Sequence, residues 1–213
     1  MAVTVNFHSD LLCFWGWVGQ DYNDKIMHLW SPSQVNWEHH CLSLYANVPQ
    51  RMSTIAPGDS GYLKYAEITE RVTSRFEGLD VNPDLWRKVR PSSSLMPHQA
   101  IKAVKFAAGN DEAIELERAL RKALFRDARD ISHFGVLKDI LEENHVATSD
   151  VMECLYSGRA LADVYGDIKT GEAEKVPGSP AWVFDQGRYR FFGQVDVDSL
   201  AFAINCLVQR EMR

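Results

Sequence analysis

Ser9-Asp10-Leu11-Leu12-Cys13-Phe14-Trp15-Gly16-Trp17-Val18-Gly19-Gln20 is the stretch on which the reading of this 213-residue chain turns. Before it, Val3, Val5 and Phe7 alternate with polar residues, the period of a half-buried strand. After it, residues 14–29 read as a helix that the Ser31-Pro32-Ser33 breaker ends. Cys13 therefore falls at a strand-to-helix junction, where outward-pointing backbone N–H groups and the positive end of the helix dipole favour thiolate over thiol. A free cysteine elsewhere behaves mostly as a small apolar side chain. Its position, the flanking aromatics Phe14, Trp15 and Trp17, and a proline segment late in the chain single Cys13 out as a candidate nucleophile.

The composition sets bounds around that junction. A chain of this length with 46% hydrophobic residues can bury one good core or carry a sizeable insertion. A formal net charge of −6 and no run of Lys or Arg argue against nucleic acid or an anionic membrane as partner. No stretch approaches the roughly 20 apolar residues of a membrane span, and the N-terminus has no basic segment followed by an apolar one, so a cytoplasmic location is expected. The four cysteines, Cys13, Cys41, Cys154 and Cys206, form no CxxC pair and no zinc spacing, and a disulfide scaffold is not expected at this size. His39, His40 and Cys41 lie on an expected strand, 34–44, where adjacent side chains point to opposite faces, so no metal site is read there.

Further along, residues 46–61 look like a loop, and helical period runs from there to about residue 171. One helix is expected over 62–76. After the Pro91-Ser92-Ser93-Ser94 break, Pro97 suits the first turn of another, with Ile101, Val104 and Ala108 on one face and Gly109 at its end. Asn110 or Asp111 is expected to cap a helix carrying Ala113, Leu116, Leu120 and Leu124. Ser132 is expected to open one with Phe134, Leu137 and Leu141 inward, and Thr148 or Ser149 a shorter one with Val151, Met152 and Leu155. Cys154 on that last helix reads as packing. At Lys175 the pattern changes to Val176-Pro177-Gly178-Ser179-Pro180, a strand over 181–184, an Asp185-Gln186-Gly187 turn and a returning strand over 188–192. A closing helix over 197–210 should turn Leu200, Ile204, Leu207 and Val208 to the sheet, with Cys206 beside that face and inert. The order is strand, helix, strand, helical block, hairpin, helix, an α/β chain whose sheet is covered by helices.

That order resembles the thioredoxin fold with a helical insertion domain, as in the DsbA family. Asp10 through Gly19 resembles the family segment in which aspartate precedes a Cys-Pro-Trp-Cys-Tyr-x-Gly turn, and Val176 to Phe184 resembles its Gly-x-Pro plus strand. Phe191-Phe192-Gly193-Gln194 resembles the hairpin exit, and Ala123-Leu124-Phe125 through Asp130-Ile131 a helix pair of the insertion. The resemblance implies a thioredoxin-like domain over 1–60 and 172–213, an insertion over 61–171, and Pro180 as the cis-proline, with Ser179 offering backbone groups beside the reactive sulfur. One departure bears on mechanism: Gly16 stands where two-cysteine members have their second cysteine, and Phe14 where proline is common. The chain also resembles kappa-class glutathione transferases and 2-hydroxychromene-2-carboxylate isomerases, in which a serine typically takes the place of Cys13 and helps hold glutathione.

Three functional expectations follow. In the first, the protein is a monothiol thiol–disulfide oxidoreductase: Cys13 attacks a disulfide or glutathionylated substrate, Phe14, Trp15 and Trp17 shape the approach, Ser179 and Pro180 hold an extended substrate backbone, and glutathione or another small thiol resolves the mixed disulfide. In the second, it is a glutathione-dependent isomerase or transferase acting on a small aromatic or electrophilic molecule, with Gln194 or Asp196 meeting the γ-glutamyl end. Asp before a helix is also a simple cap. The third is a thioredoxin-like binding module without turnover. No tightly bound cofactor and no metal are expected, homodimer formation is left open, and Cys41 or Cys154 could replace the missing second cysteine only with Cα atoms within about 7 Å of Cys13. A thiol titrating well below 7 would mark catalysis, and one near about 8.5 the binding module.

Overall fold

The computed structural model describes residues 2–211. Its elements, in chain order, are β1 (Val3–Ser9), α1 (Phe14–Val18), α2 (Gln20–Met27), β2 (Val35–Cys41), α3 (Val48–Ser53), α4 (Asp59–Thr73), α5 (Leu95–Ala107), α6 (Asn110–Phe125), α7 (Phe134–Glu143), α8 (Thr148–Tyr156), α9 (Arg159–Ala173), β3 (Ala181–Phe184), β4 (Tyr189–Phe192) and α10 (Val197–Glu211). They form two compact units, one running up to Leu42 and resuming at Gly166, the other Ser43–Tyr165; α9 begins in the second and ends in the first.

The first unit is built on a four-stranded sheet of order β2-β1-β3-β4, with β1 parallel to β2 and antiparallel to β3, and β3 antiparallel to β4. Alternation along the strands sorts the two faces. Val3, Val5 and Phe7 join Val35, Trp37, Trp182 and Phe184 on one side, against Ile26 of α2 and Leu200, Ile204, Leu207 and Val208 of α10. The other side carries Asn6, His8 and His40, which meet carboxylates of and just beyond α9. Among the described residues no helix is long and apolar enough to cross a membrane.

The second unit is helical. Leu116, Leu120 and Leu124 of α6 and Leu137, Ile140 and Leu141 of α7 are buried at the three-to-four-residue spacing of their apolar faces.

Several local expectations are corrected. The single helix over 14–29 is two helices, because Gly19 closes α1 and opens α2. The loop over 46–61 contains α3: Pro49 sits in its first turn, where the missing N–H costs nothing, and the Asn47 side chain caps the Gln50 N–H. Gly109 belongs to the start of α6 rather than the end of α5, at φ 122°, so neither Asn110 nor Asp111 is the cap. His133, not Ser132, precedes α7, and Phe134 is 41% exposed, lying in the first turn off the face that Leu137 and Leu141 share.

Candidate functional site

The site begins where β1 ends. The Asp10 carboxylate accepts the Leu12 N–H at 2.9 Å and its carbonyl accepts the Cys13 N–H at 3.0 Å, so one buried aspartate shapes the turn that delivers Cys13 to the start of α1. Cys13 is the N-cap, with extended backbone and no side-chain cap bond. Its thiol donates instead to the carbonyl oxygen of Ser179 at 3.3 Å.

Ser179 is fixed from β1 as well. Its hydroxyl accepts the Asp10 N–H at 3.0 Å and lies 3.2 Å from the Ser9 hydroxyl. The Ser179–Pro180 peptide bond is cis, and the Pro180 carbonyl accepts the Gly193 N–H at 2.9 Å, which ties the segment to the exit of β4. A Cβ at Gly178 would lie 2.9 Å from the ring of the exposed Phe192, so a side chain there would displace that ring. Ser179→Ala should lower stability to chemical denaturation by about 1–3 kcal/mol, because the buried Asp10 N–H loses its acceptor.

The state of the thiol is a correction. Cys13 is 5% exposed, and burial pushes its pKa up from the ordinary value, with the Asp10 carboxylate adding to the rise. Hydrogen bonding from Ser179 and from the Gly16 and Trp15 backbone pulls the other way without overcoming burial. The dipole of a one-turn helix is too small to offset desolvation, so the shift is upward and toward the thiol form.

Of the other sequence candidates, Phe14 is buried, Trp17 is half-buried and Trp15 is 39% exposed. The exposed Gln194 reaches the same turn, its amide donating to the Trp15 carbonyl at 3.4 Å. Asp196 caps α10, accepting the Ser199 N–H at 2.8 Å, and those Ser199 hydrogen bonds hold its carboxyl below its ordinary value. His39 packs edge-on against Phe7 while His40 bonds Asp167, so the neighbours diverge; no metal-binding cluster occurs among the described residues. All four cysteines are free, Cys41 being buried with its N–H on Asp167, and Cys206 exposed. Ser9 and the Asp10 N–H join the site through the Ser179 hydroxyl, a role marked in the sequence only by the Asp10-to-Leu12 spacing of an aspartate turn.

No curated protein sequence matches the chain. Among solved structures, a candidate protein disulfide isomerase from Nitrosomonas europaea superposes with a TM-score of 0.76 at 13% identity, covering 99% of each chain. The cytosolic disulfide reductase DsbM from Pseudomonas aeruginosa, solved also with GSH, gives 0.72 at 14% identity over 97% of this chain and 98% of its own. A 2-hydroxychromene-2-carboxylate isomerase gives 0.65 at 15% identity over 99% and 96%. At such identities these likenesses concern the fold. The sequence profile of the DSBA-like thioredoxin domain matches residues 4–205, from within β1 into α10. That span takes in β2, β3, β4, all of β1 but Val3, and the Cys13 and Pro180 segments, and the chain belongs to the DSBA-like thioredoxin domain family.

Proposed function

We propose that the protein is a thiol–disulfide oxidoreductase that works with a single thiol, Cys13. The observation that supports this reading is the 3.3 Å approach of the Cys13 sulfur to the Ser179 carbonyl, a backbone group that an extended substrate at the sulfur would meet. The Cys13 thiolate attacks a glutathionylated or disulfide-bonded substrate; the substrate's S–S bond breaks, its thiol leaves, and a mixed disulfide forms on Cys13. With Gly16 in place of a second cysteine, a small thiol such as glutathione attacks that mixed disulfide and releases Cys13 as the thiol; a glutathionyl group leaves as oxidised glutathione, and a bound substrate leaves as its glutathione mixed disulfide, which a second small thiol reduces. One external thiol per glutathionylated substrate, or two per substrate disulfide, balances the exchange without a bound cofactor. Phe14, Trp15 and Trp17 shape the approach. The N–H groups of Trp15 and Gly16 favour the thiolate, which is the fraction that attacks. A compartment with a reducing thiol pool, the cytoplasm, suits this cycle.

One observation favours a second reading. The Cys13 S–H, which donates to the Ser179 carbonyl at 3.3 Å, is a donor that, turned from that carbonyl, would hold the sulfur of bound glutathione in an isomerase or transferase acting on a small electrophile.

The test is iodoacetamide alkylation of Cys13 against pH, followed by mass after exposure to oxidised glutathione. In place of the titration below 7 expected from the helix start, burial should make alkylation rise about tenfold per pH unit above pH 7 and continue past about 8.5 without levelling, so turnover is judged by the adduct rather than by the pKa. One glutathione adduct on Cys13, released by added thiol, is the expected mass result. A sulfur that stays unmodified overturns the oxidoreductase reading; tight glutathione binding then supports the second, and its absence a binding module without turnover.

A further inference from the structure

On the sheet face away from the aromatic core, four ionisable side chains meet. His8 of β1 is fully buried and bonds Glu174 through Nε2 at 2.6 Å, while the other Glu174 oxygen accepts from Asn6 at 2.6 Å. His40 of β2 stacks on His8, with ring centroids 4.8 Å apart at 21°, and bonds Asp167 of α9 through Nδ1 at 2.9 Å. The second Asp167 oxygen accepts the Cys41 N–H at 2.7 Å, and the Arg190 guanidinium of β4 donates to the Glu174 carbonyl at 2.9 Å. From β3 the paired residue is Ala181, which adds no charge.

The Nδ1 atom of His8 is buried without a hydrogen-bond partner. It faces Gly171 of α9: a Cβ at that position would lie 3.6 Å from it. With Nε2–H donated to the Glu174 carboxylate, the neutral ring leaves Nδ1 as a bare lone pair against a helix surface with no side chain. A proton taken up there creates a buried N–H with no acceptor, and the stacked His40 opposes the added charge.

Both strands of chain held by this cluster lead directly to Cys13. His8 immediately precedes Ser9 and Asp10, which contact the Ser179 hydroxyl, and Glu174 stands at the head of the segment that ends in Ser179 and Pro180. We propose that His8 is an acid-sensitive positioning residue for Cys13: proton uptake at its Nδ1 displaces the end of α9 and the 174–180 segment, withdraws the Ser179 carbonyl and exposes the thiol. The proposal rests on the reading of Cys13 as the reactive sulfur. The sign agrees with burial, which with the neighbouring His40 lowers the His8 pKa from its ordinary 6.5. The closed arrangement is therefore favoured above about 6.5 and loses ground as pH falls toward the lowered value, because the open form binds the proton first.

The experiment measures Cys13 alkylation by iodoacetamide from pH 5 to 8 in the wild type, His8→Gln and Glu174→Gln, with Cys41, Cys154 and Cys206 resolved separately by peptide mapping. Thiolate fraction alone gives a line of slope one in log rate against pH. The wild type should bend away below about pH 6.5 and react about threefold or more above the extrapolated line at pH 5.5. His8→Gln keeps an N–H for Glu174 but cannot be protonated, and should follow the straight line throughout. Glu174→Gln removes the carboxylate that favours the imidazolium and should move the bend to lower pH. Thermal melts at pH 7.5 confirm that the variants fold, and His40→Asn, which keeps a donor for Asp167 and removes the like charge, should move the bend to higher pH. A straight wild-type line, or the same bend in His8→Gln, overturns the proposal. A bend that behaves as expected in a protein with no disulfide-exchange activity keeps the positioning role and sinks the oxidoreductase reading instead.

Discussion

Replacing Cys13 by serine should bring disulfide reduction down to the uncatalysed rate and leave the fold intact. The serine hydroxyl can donate to the Ser179 carbonyl as the thiol does at 3.3 Å, so the buried hydrogen bond survives. What disappears is the chemistry, since exchange requires a sulfur that can join and leave a disulfide. With a glutathionylated peptide as substrate and glutathione as reductant, the expected loss in kcat/KM is about 10³-fold or more, and the adduct should vanish from the mass spectrum. The same variant separates the two enzymatic readings. In a glutathione-dependent isomerase or transferase the hydroxyl takes over the donor role, so Cys13→Ser retains glutathione binding and only Cys13→Ala weakens it. Peptide reduction at the wild-type rate in Cys13→Ser would move the chemistry to another of the free thiols, Cys41, Cys154 or Cys206.

The difference between the lowered Cys13 pKa expected at this junction and the upward shift that burial gives it shows what kind of information the chain displays locally. Val3, Val5 and Phe7 reveal β1 through alternation, and Leu200, Ile204 and Leu207 reveal the inward face of α10 through helical spacing, because each pattern is set by neighbours in sequence. The Ser179–Pro180 segment is legible for the same reason: its glycine and prolines mark a turn whatever surrounds it. The pKa of Cys13 is not local. The helix start is visible in sequence, but the burial that overrides it is set by the tertiary fold, and the sulfur's own hydrogen-bond partner, Ser179, lies 166 residues away. The His8–Glu174 contact spans another 166 residues and follows no motif. Where local signals misled, they were ambiguous punctuation: Pro49 reads equally as a breaker and as a first-turn residue, and Gly109 equally as the end of one helix and the start of the next.

Two helical glycines that look alike in sequence should respond oppositely to the same substitution. Gly61 is the third residue of α4, and a Cβ there would fall 2.3 Å from the Met52 carbonyl oxygen and 2.8 Å from that of Ala56. These are backbone atoms, and the Met52 oxygen already accepts the N–H groups of Ile55 and Ala56 at 3.0 and 3.2 Å, so it cannot swing aside without breaking the turn after α3. Met52 itself is fully buried, which ties the carbonyl to the core of the helical unit. Gly61→Ala therefore has to separate α3 from α4, and should cost about 3 kcal/mol or more, a fall in Tm of about 10 °C for a chain of this size. Gly166, inside α9, is exposed, and an added Cβ there meets no atom within 4 Å. Gly166→Ala should raise stability by about 0.5–1 kcal/mol, through the conformational freedom that glycine surrenders in a helix. Paired melts of the two variants at pH 7.5 measure the difference; equal shifts of the same sign would mean that α4 does not approach the Met52 carbonyl as described.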